Sequence, residues 1–457
     1  MNGAPLGRAA RGLPASPVRI VHLGLGGFSR AHQVWATAHA SDADDWGVAG
    51  FTGRSTALAQ RLTAQDGLYT LVTRAADGDR LEVVPSLVEA RAGGDVDRLV
   101  GLVADPEVQV VTLTVTEAGY HRGDGGADLA HPAVAADVEA LRAGRVADLA
   151  TAPGRLAAGL GARARAGVAP LAVVPCDNLP DNAAVVRDAV TALARAAGDT
   201  DLLGWLGGVG WVTTMVDRIT PATTDEDVAD VRRLGGYDDA APVVTEPFTE
   251  WVLAGSFPGK RPAWESTGAR FVDDVAPYER RKLWLLNGGH SLLAYVGGAR
   301  GHATVADAVA DPGCRALLEQ WWDEAAPGLT GLPEGDVPAY RTALLDRFTN
   351  PRIRHLLAQI VADGSQKLPV RILPTLRAAR AEGRVPVAAV TVLGAWVAHL
   401  RGHGTPVRDA AADRLRDLAG GPLDRAVPAV LGALDPALAD DPEVVAAVRA
   451  ATTDLLP

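Results

Sequence analysis

A chain of 457 residues exceeds what one hydrophobic core usually organises, so two domains are the first expectation. With 48% apolar and 22% charged residues the composition is globular, and a net charge of −11 argues against a nucleic-acid surface. The two cysteines, Cys176 and Cys314, lie far apart, which excludes a disulfide scaffold and a cysteine-rich zinc site and suits a reducing compartment. No apolar run reaches the roughly 18–20 residues of a membrane span. The expectation is a cytoplasmic protein with a small-molecule ligand, no nucleic-acid or membrane partner and no resident metal. The sequence sets no oligomeric state.

Residues 1–18, rich in small residues and arginine, read as a mobile tail. Order is predicted to begin in "RIVHLGLGGFSRAHQ" (19–33), where a short β-rich run stops at glycines and passes into a helix. "WGVAGFTG" (46–53) and "VQVVTLTVTEAGY" (108–120) are further buried strands, with helix-like segments between them. "LYTLVTRAADGDRLEVVPSLVEA" reads as two strands about a Gly-Asp turn, an insertion into the βα rhythm. "APLAVVPCDN" (169–178) is a strand ending in polar residues before the helix "NAAVVRDAVTALARAAGD". Strands alternating with helices predict a mainly parallel sheet covered on both faces. After about residue 272 the apolar spacing becomes helical throughout. The fold class is therefore α/β: a dinucleotide-binding domain with inserted strands over 1–272, then a mainly α-helical domain over 273–457.

In "HLGLGGFSRAH", Gly24-x-Gly26 follows a strand and opens a helix. Backbone N–H groups at such a turn approach a pyrophosphate, and the helix dipole favours its charge. Ser29 replaces the third glycine of the usual fingerprint. After the second strand, where an acid would hold ribose hydroxyls, the sequence offers Arg54, Ser55 and Thr56. An arginine and hydroxyls tolerate a 2′-phosphate, so NAD is placed first and NADP stays open.

"ERRKLWLLNGGHS" (279–291) sets Lys282, Asn287 and His290 on an otherwise apolar helix. At roughly 100° per residue, Asn287 lies about 140° and His290 about 80° from Lys282, on one broad face. Oxidation of an alcohol by a nicotinamide needs a base, donors for the developing alkoxide and a dry slot. Lys282 is the candidate base, since desolvation disfavours an ammonium. Asn287, and Asn178 at a strand's carboxyl end, are the candidate donors, and His290 a candidate orienting group. Tyr278-x3-Lys282 also fits the Tyr/Lys pair of short-chain dehydrogenases, but chain length, position and glycine pattern make that match accidental.

The motifs Gly24-x-Gly26-x-Phe28-x-Arg30, "TLTVTEAGY", "CDNLPDN", "MVDRITPAT", "EPFTEWVL", Lys282-x4-Asn287-x2-His290 and "DGSQKLP" stand in an order that resembles the polyol-specific long-chain dehydrogenases, the mannitol 2-dehydrogenase and fructuronate reductase family. The resemblance spans residues 19–370. It implies a metal-independent NAD(P) oxidoreductase interconverting an alcohol and a ketone on a polyol or sugar acid. It assigns Lys282 as general acid/base, Asn178 and Asn287 as the oxyanion pocket, and Glu279 as part of a proton path. Together with His290, Asp217, Lys367 and Gln359 are implied on the substrate side. Gly24, Leu25, Gly26, Gly27, Phe28, Arg30, Arg54, Thr116 and Glu117 are implied on the cofactor side. Gln359 stands where mannitol-type members can carry arginine; a neutral amide does not by itself explain carboxylate recognition. The segment "QIVADGSQKLP" with "LNGGHSLLAYVG" resembles the fructuronate reductases, so the resemblance places fructuronate ahead of mannitol or arabinitol. A nucleotide-binding sensor without turnover is the alternative of another class.

Overall fold

Short β-branched runs bounded by glycine and proline form the central sheet of the first unit. The computed structural model describes residues 4–53, 55–123 and 125–456, and the chain divides into two compact units, Met1–Ala276 and Pro277–Pro457. Six strands form the sheet: β1 (Val18–Leu23), β2 (Gly47–Phe51), β3 (Leu87–Arg91), β4 (Val110–Leu113), β5 (Ala172–Pro175) and β6 (Gly210–Trp211). All their pairings are parallel, in the order β3-β2-β1-β4-β5-β6, the order of a dinucleotide-binding Rossmann sheet. Alternate residues separate onto two faces. Val21, Leu23, Val111 and Val173 pack against helices carrying Leu99, Leu156, Leu160 and Val186. Ile20, Val48, Val110 and Val174 face the other way, onto Ala31, Val34, Tyr69 and Trp251. Both faces are buried, as an all-parallel sheet requires.

The insertion holds more than the two expected strands. Tyr69–Ala75 and Gly78–Val84 form an antiparallel hairpin, and Leu87–Arg91 then leaves it to become β3 of the main sheet. A second small sheet, Thr213–Asp217 with Glu250–Ala254 and Arg270–Phe271, was not apparent in the sequence.

The mobile tail expected over 1–18 also needs correction from residue 4 on, residues 1–3 lying outside the described residues. Ala4–Pro5 pairs with Tyr237–Asp238, Leu6 is buried, and the Arg8 guanidinium donates to the carbonyls of Asp66, Pro14 and Leu87 at 2.8–2.9 Å. Leu6 and Leu13 cover an apolar patch of Leu68, Val72, Val231 and Val244 that local composition does not reveal.

The second unit is helical. Among its described residues the only β pairing is an isolated bridge, Thr304 with Leu356. Its helix starts are sequence-coded: Thr304 and Asp307 make a capping box, and Asp311 accepts from the N–H groups of Gly313 and Cys314 ahead of Pro312–Ala325. Val387–Leu400 is apolar on all sides and buried from Ala388 to Val390 and Val392 to Leu400, the pattern of a core helix.

Candidate active site

In the first unit the site is built on the carboxyl edge of the sheet. Gly24 follows β1 with φ +97°, and a Cβ there would lie 2.0 Å from the Thr114 carbonyl oxygen, so only glycine fits. The N–H groups of Gly24 and Leu25 both donate to Phe51 O at 2.8 Å, and that of Gly26 to Ser29 Oγ at 3.0 Å. The hydroxyl of Ser29, where the fingerprint would have glycine, is thus part of the loop. First-turn N–H groups lack intrahelical partners, so Gly27 and Phe28, opening the helix over 27–39, carry the donors a phosphate would use. Arg30 braces the loop from behind: Nε donates to Gly26 O at 3.0 Å, another guanidinium nitrogen donates to Ala241 O, and the cation lies 5.2 Å from the Tyr69 ring centre. Burial lowers its pKa to about 10.

Beside Gly24 opens a cleft of about 780 Å³ between the ends of β1, β2, β3 and β4. Thr52, Gly53, Gly93, Thr114, Thr116, His121 and Arg155 are among the residues that line it. Among the described residues, no carboxylate lines it. The Thr52 hydroxyl donates to Ser55 O at 2.8 Å and accepts the Gly93 N–H at 3.3 Å, which fixes the end of β2. Arg54 lies outside the described residues, and Glu117 is exposed beyond the cleft lining. Gly93 and Arg155 were missed in the sequence. The Gly-Gly after "LVEARA" was the available signal, hidden because β3 had not been recognised as a main-sheet strand. A Cβ on Gly93 would come within 2.1 Å of Thr52 O.

The segment after β5 orders the rest of the edge. Asp177 is buried and accepts from the Val115 N–H and the Tyr120 hydroxyl, tying "CDN" to "TEAGY". Burial raises its pKa to about 7 against those hydrogen bonds. Asn182, fully buried, donates to Asp177 O at 3.1 Å and Thr214 O at 2.9 Å and accepts the Thr214 N–H at 3.0 Å. With its neighbours so held, Asn178 stands exposed at the sheet edge. Asp217, buried at the end of its strand, lies in register with buried Glu250. Neither Asp177 nor Asn182 was singled out by the sequence, because each reads as one more polar loop residue.

In the second unit a continuous helix over 276–298 carries Glu279, Lys282 and Asn287, all partly buried, and His290, buried. Lys282–Gly288 is a π-helical turn rather than an α-helical one. His290 lies 4.7 Å from the Phe348 ring and 4.8 Å from the His355 ring, and burial holds its pKa well below the usual value. Its imidazole is therefore neutral at physiological pH. Lys367 is partly buried on Gly364–Arg371 and donates to Ile360 O at 3.3 Å, its pKa lowered by burial and then by Arg371. Gln359 is exposed on Leu357–Ile360. Arg371 reaches the lysine helix at Ser291 Oγ, 3.2 Å away.

Among the described residues one group, His302, Asp311 and Cys314, has the composition of a metal set. Its donors do not suit a cation. Both Asp311 oxygens already accept from Arg300, one also from two backbone N–H groups and the other from His302. No helix among the described residues is long and apolar enough to cross a membrane.

A Rossmann sheet with a glycine loop, followed by a helical unit carrying a partly buried lysine, defines a two-unit dehydrogenase architecture. Residues 18–266 match the mannitol dehydrogenase Rossmann domain and residues 274–456 the mannitol dehydrogenase C-terminal domain. The chain belongs to the mannitol dehydrogenase family and is an oxidoreductase. It is 36% identical over 456 residues to the uncharacterized oxidoreductase YeiQ of Escherichia coli, covering 95% of this chain and 91% of that one. With the D-mannonate oxidoreductase of the same organism it shares 40% identity over 373 residues, covering 79% and 75%. The mannitol 2-dehydrogenase of Pseudomonas fluorescens, solved with NAD and D-mannitol, superposes with a TM-score of 0.80 at 33% identity, over 96% of this chain and 92% of that one.

Proposed function

We propose that the chain interconverts a secondary alcohol and a ketone on a sugar acid, with NAD as cofactor and D-mannonate and D-fructuronate as the substrate pair. The chemistry is carried by one observation: a partly buried lysine and a carboxamide five residues on, joined by a π-helical turn on an otherwise apolar helix. Lys282 takes the hydroxyl proton during oxidation and returns it to the carbonyl oxygen during reduction. The amides of Asn178 and Asn287 donate to the developing alkoxide, a charge that preformed dipoles stabilise without reorganisation. Neutral His290 offers one N–H and one lone pair to a substrate hydroxyl. Asp217, Lys367 and Gln359 bind the remaining hydroxyls, and partly buried Glu279, three residues before Lys282, relays the proton towards solvent.

The nicotinamide supplies or accepts the hydride when bound. The cleft beside Gly24 suits a dinucleotide: it combines backbone-rich walls with threonine hydroxyls at the strand ends, and the loop that begins at Gly24 leads into the helix start at Gly27. With Thr52 and Gly53 at the end of β2 in place of an acid, both NADH and NADPH belong in the test.

Two observations support the sugar acid: 40% identity to D-mannonate oxidoreductase, and the segments "QIVADGSQKLP" and "LNGGHSLLAYVG", which resemble those of fructuronate reductases. Steady-state rates on D-fructuronate, D-fructose and the ketoses of other polyols, with each cofactor, test the reading. The expected outcome is the highest kcat/KM on fructuronate with NADH; a higher value on fructose would transfer the assignment to D-mannitol.

A further inference from the structure

The turn over Lys282–Gly288 poses a problem of maintenance. In an α-helix five residues at roughly 100° each leave Asn287 about 140° from Lys282. In i→i+5 geometry the fifth residue falls a little past one full turn, which brings Asn287 round towards the side of the helix that carries Lys282. Wide turns are rare because their hydrogen bonding is less favourable, and one persists where other groups take up its backbone carbonyls. Two side chains on the neighbouring helix Pro312–Ala325 do so here. The indole N–H of Trp321 donates to Trp284 O at 2.9 Å, and that of Trp322 to Leu285 O at 3.0 Å. The Gly289 N–H, at the end of the turn, is shared between Leu285 O and Leu286 O.

Both indoles are fully buried, and the helix backbone makes room for them. A Cβ on Gly288 would lie 2.8 Å from Trp321 Cζ2, and one on Gly289 would lie 2.9 Å from Leu318 and 3.4 Å from Trp322 Nε1. Two consecutive glycines within a helix are unfavourable on propensity alone. Their presence is explained by this close approach.

We propose that Trp321 and Trp322 are positioning residues: their paired indole N–H groups hold the π turn open and so align Lys282 with Asn287. The inference rests on the roles given above to those two side chains. Replacing either indole N–H by sulfur, through β-(3-benzothienyl)alanine at position 321 or 322, removes the donor and keeps the shape. Trp321→Phe and Trp322→Phe are the coarser versions. In each case kcat for alcohol oxidation should fall on the order of 10- to 100-fold, as for a displacement of about 1 Å at a reacting group. The apparent pKa in the kcat/KM profile should shift, and the dissociation constant for NADH should stay at its wild-type value.

Folded isostere variants with wild-type kcat and pH profile would overturn the proposal. So would an experimental structure with a regular α-helix over 282–288, which decides the matter should every variant fail to fold. Lys282→Ala serves as the control: a dead Lys282→Ala beside fully active isosteres removes only this inference, whereas an active Lys282→Ala removes the assigned chemistry itself.

Discussion

The two units carry their candidate residues by opposite means. Along the sheet edge of the first unit the shape is made by backbone, with glycines at positions 24 and 93 pressed against carbonyl oxygens. Its buried polar side chains, Arg30, Asp177 and Asn182, serve to hold that backbone in place. On the helix over 276–298 the groups proposed to react are side chains, and the indoles that donate to its backbone are proposed to align them. The difference predicts where each region is fragile. A backbone-built cleft tolerates exchange of its lining side chains but not of its glycines, whereas a side-chain-built site fails when one functional group is removed.

Lys282→Ala is the sharpest separation of the two. It should lower kcat by a factor on the order of 10²–10⁴ while fluorescence titration finds NADH binding unchanged. Loss of cofactor binding along with turnover would erase the division of labour.

Gly24→Ala should do the reverse. The φ of +97° and the overlap with Thr114 O cost about 2–5 kcal/mol in a urea melt, and cofactor binding should be lost with the loop's shape. A stable variant with normal NADH affinity would mean that the loop's geometry matters less than its packing suggests.

Asp177→Asn tests the brace at the sheet edge through pH. The native carboxyl titrates at about 7, the unfolded one at about 4, so between these values the native state binds more protons. Stability contributed by the protonated form is complete below about pH 4 and is lost as pH rises through about 7. The melting-temperature advantage of the wild type over Asp177→Asn should therefore shrink from pH 4 to pH 7.5. A constant gap would place the native titration at the ordinary value.

The smallest effect is expected from Thr116→Val. This exposed cleft-lining side chain should contribute about 1 kcal/mol or less to NADH affinity, measured by the same titration. A loss of affinity as large as that from Gly24→Ala would contradict a backbone-built cleft.

Much of this was legible from local patterns. The strand–glycine–helix passage at 19–33, the parallel strands within 46–53 and 108–120, and the change to helical spacing near residue 272 all follow from residue period and turn chemistry. What escaped the sequence was long-range. Leu87–Arg91 joins β2 and not the hairpin beside it in sequence. Leu6 finds its apolar patch on residues from 68 to 244. Tyr120 meets Asp177 across 57 positions. The tryptophans at 321 and 322 meet the segment ending in Gly288 and Gly289 across more than thirty positions, a contact that no local pattern signals.

The amino-acid order by itself therefore indicated β1, β2, β4 and β5 of the central sheet, the glycine turn after β1, the helical character of the second half, and which polar groups sit against apolar neighbours. Those properties depend on contacts within a few residues. Only tertiary structure decided that Arg30 braces the loop, that Asp177 is sealed beneath exposed Asn178, and that the lysine helix opens into a π turn. Each depends on a partner distant in sequence, whose proximity is set by how the hydrophobic faces pack.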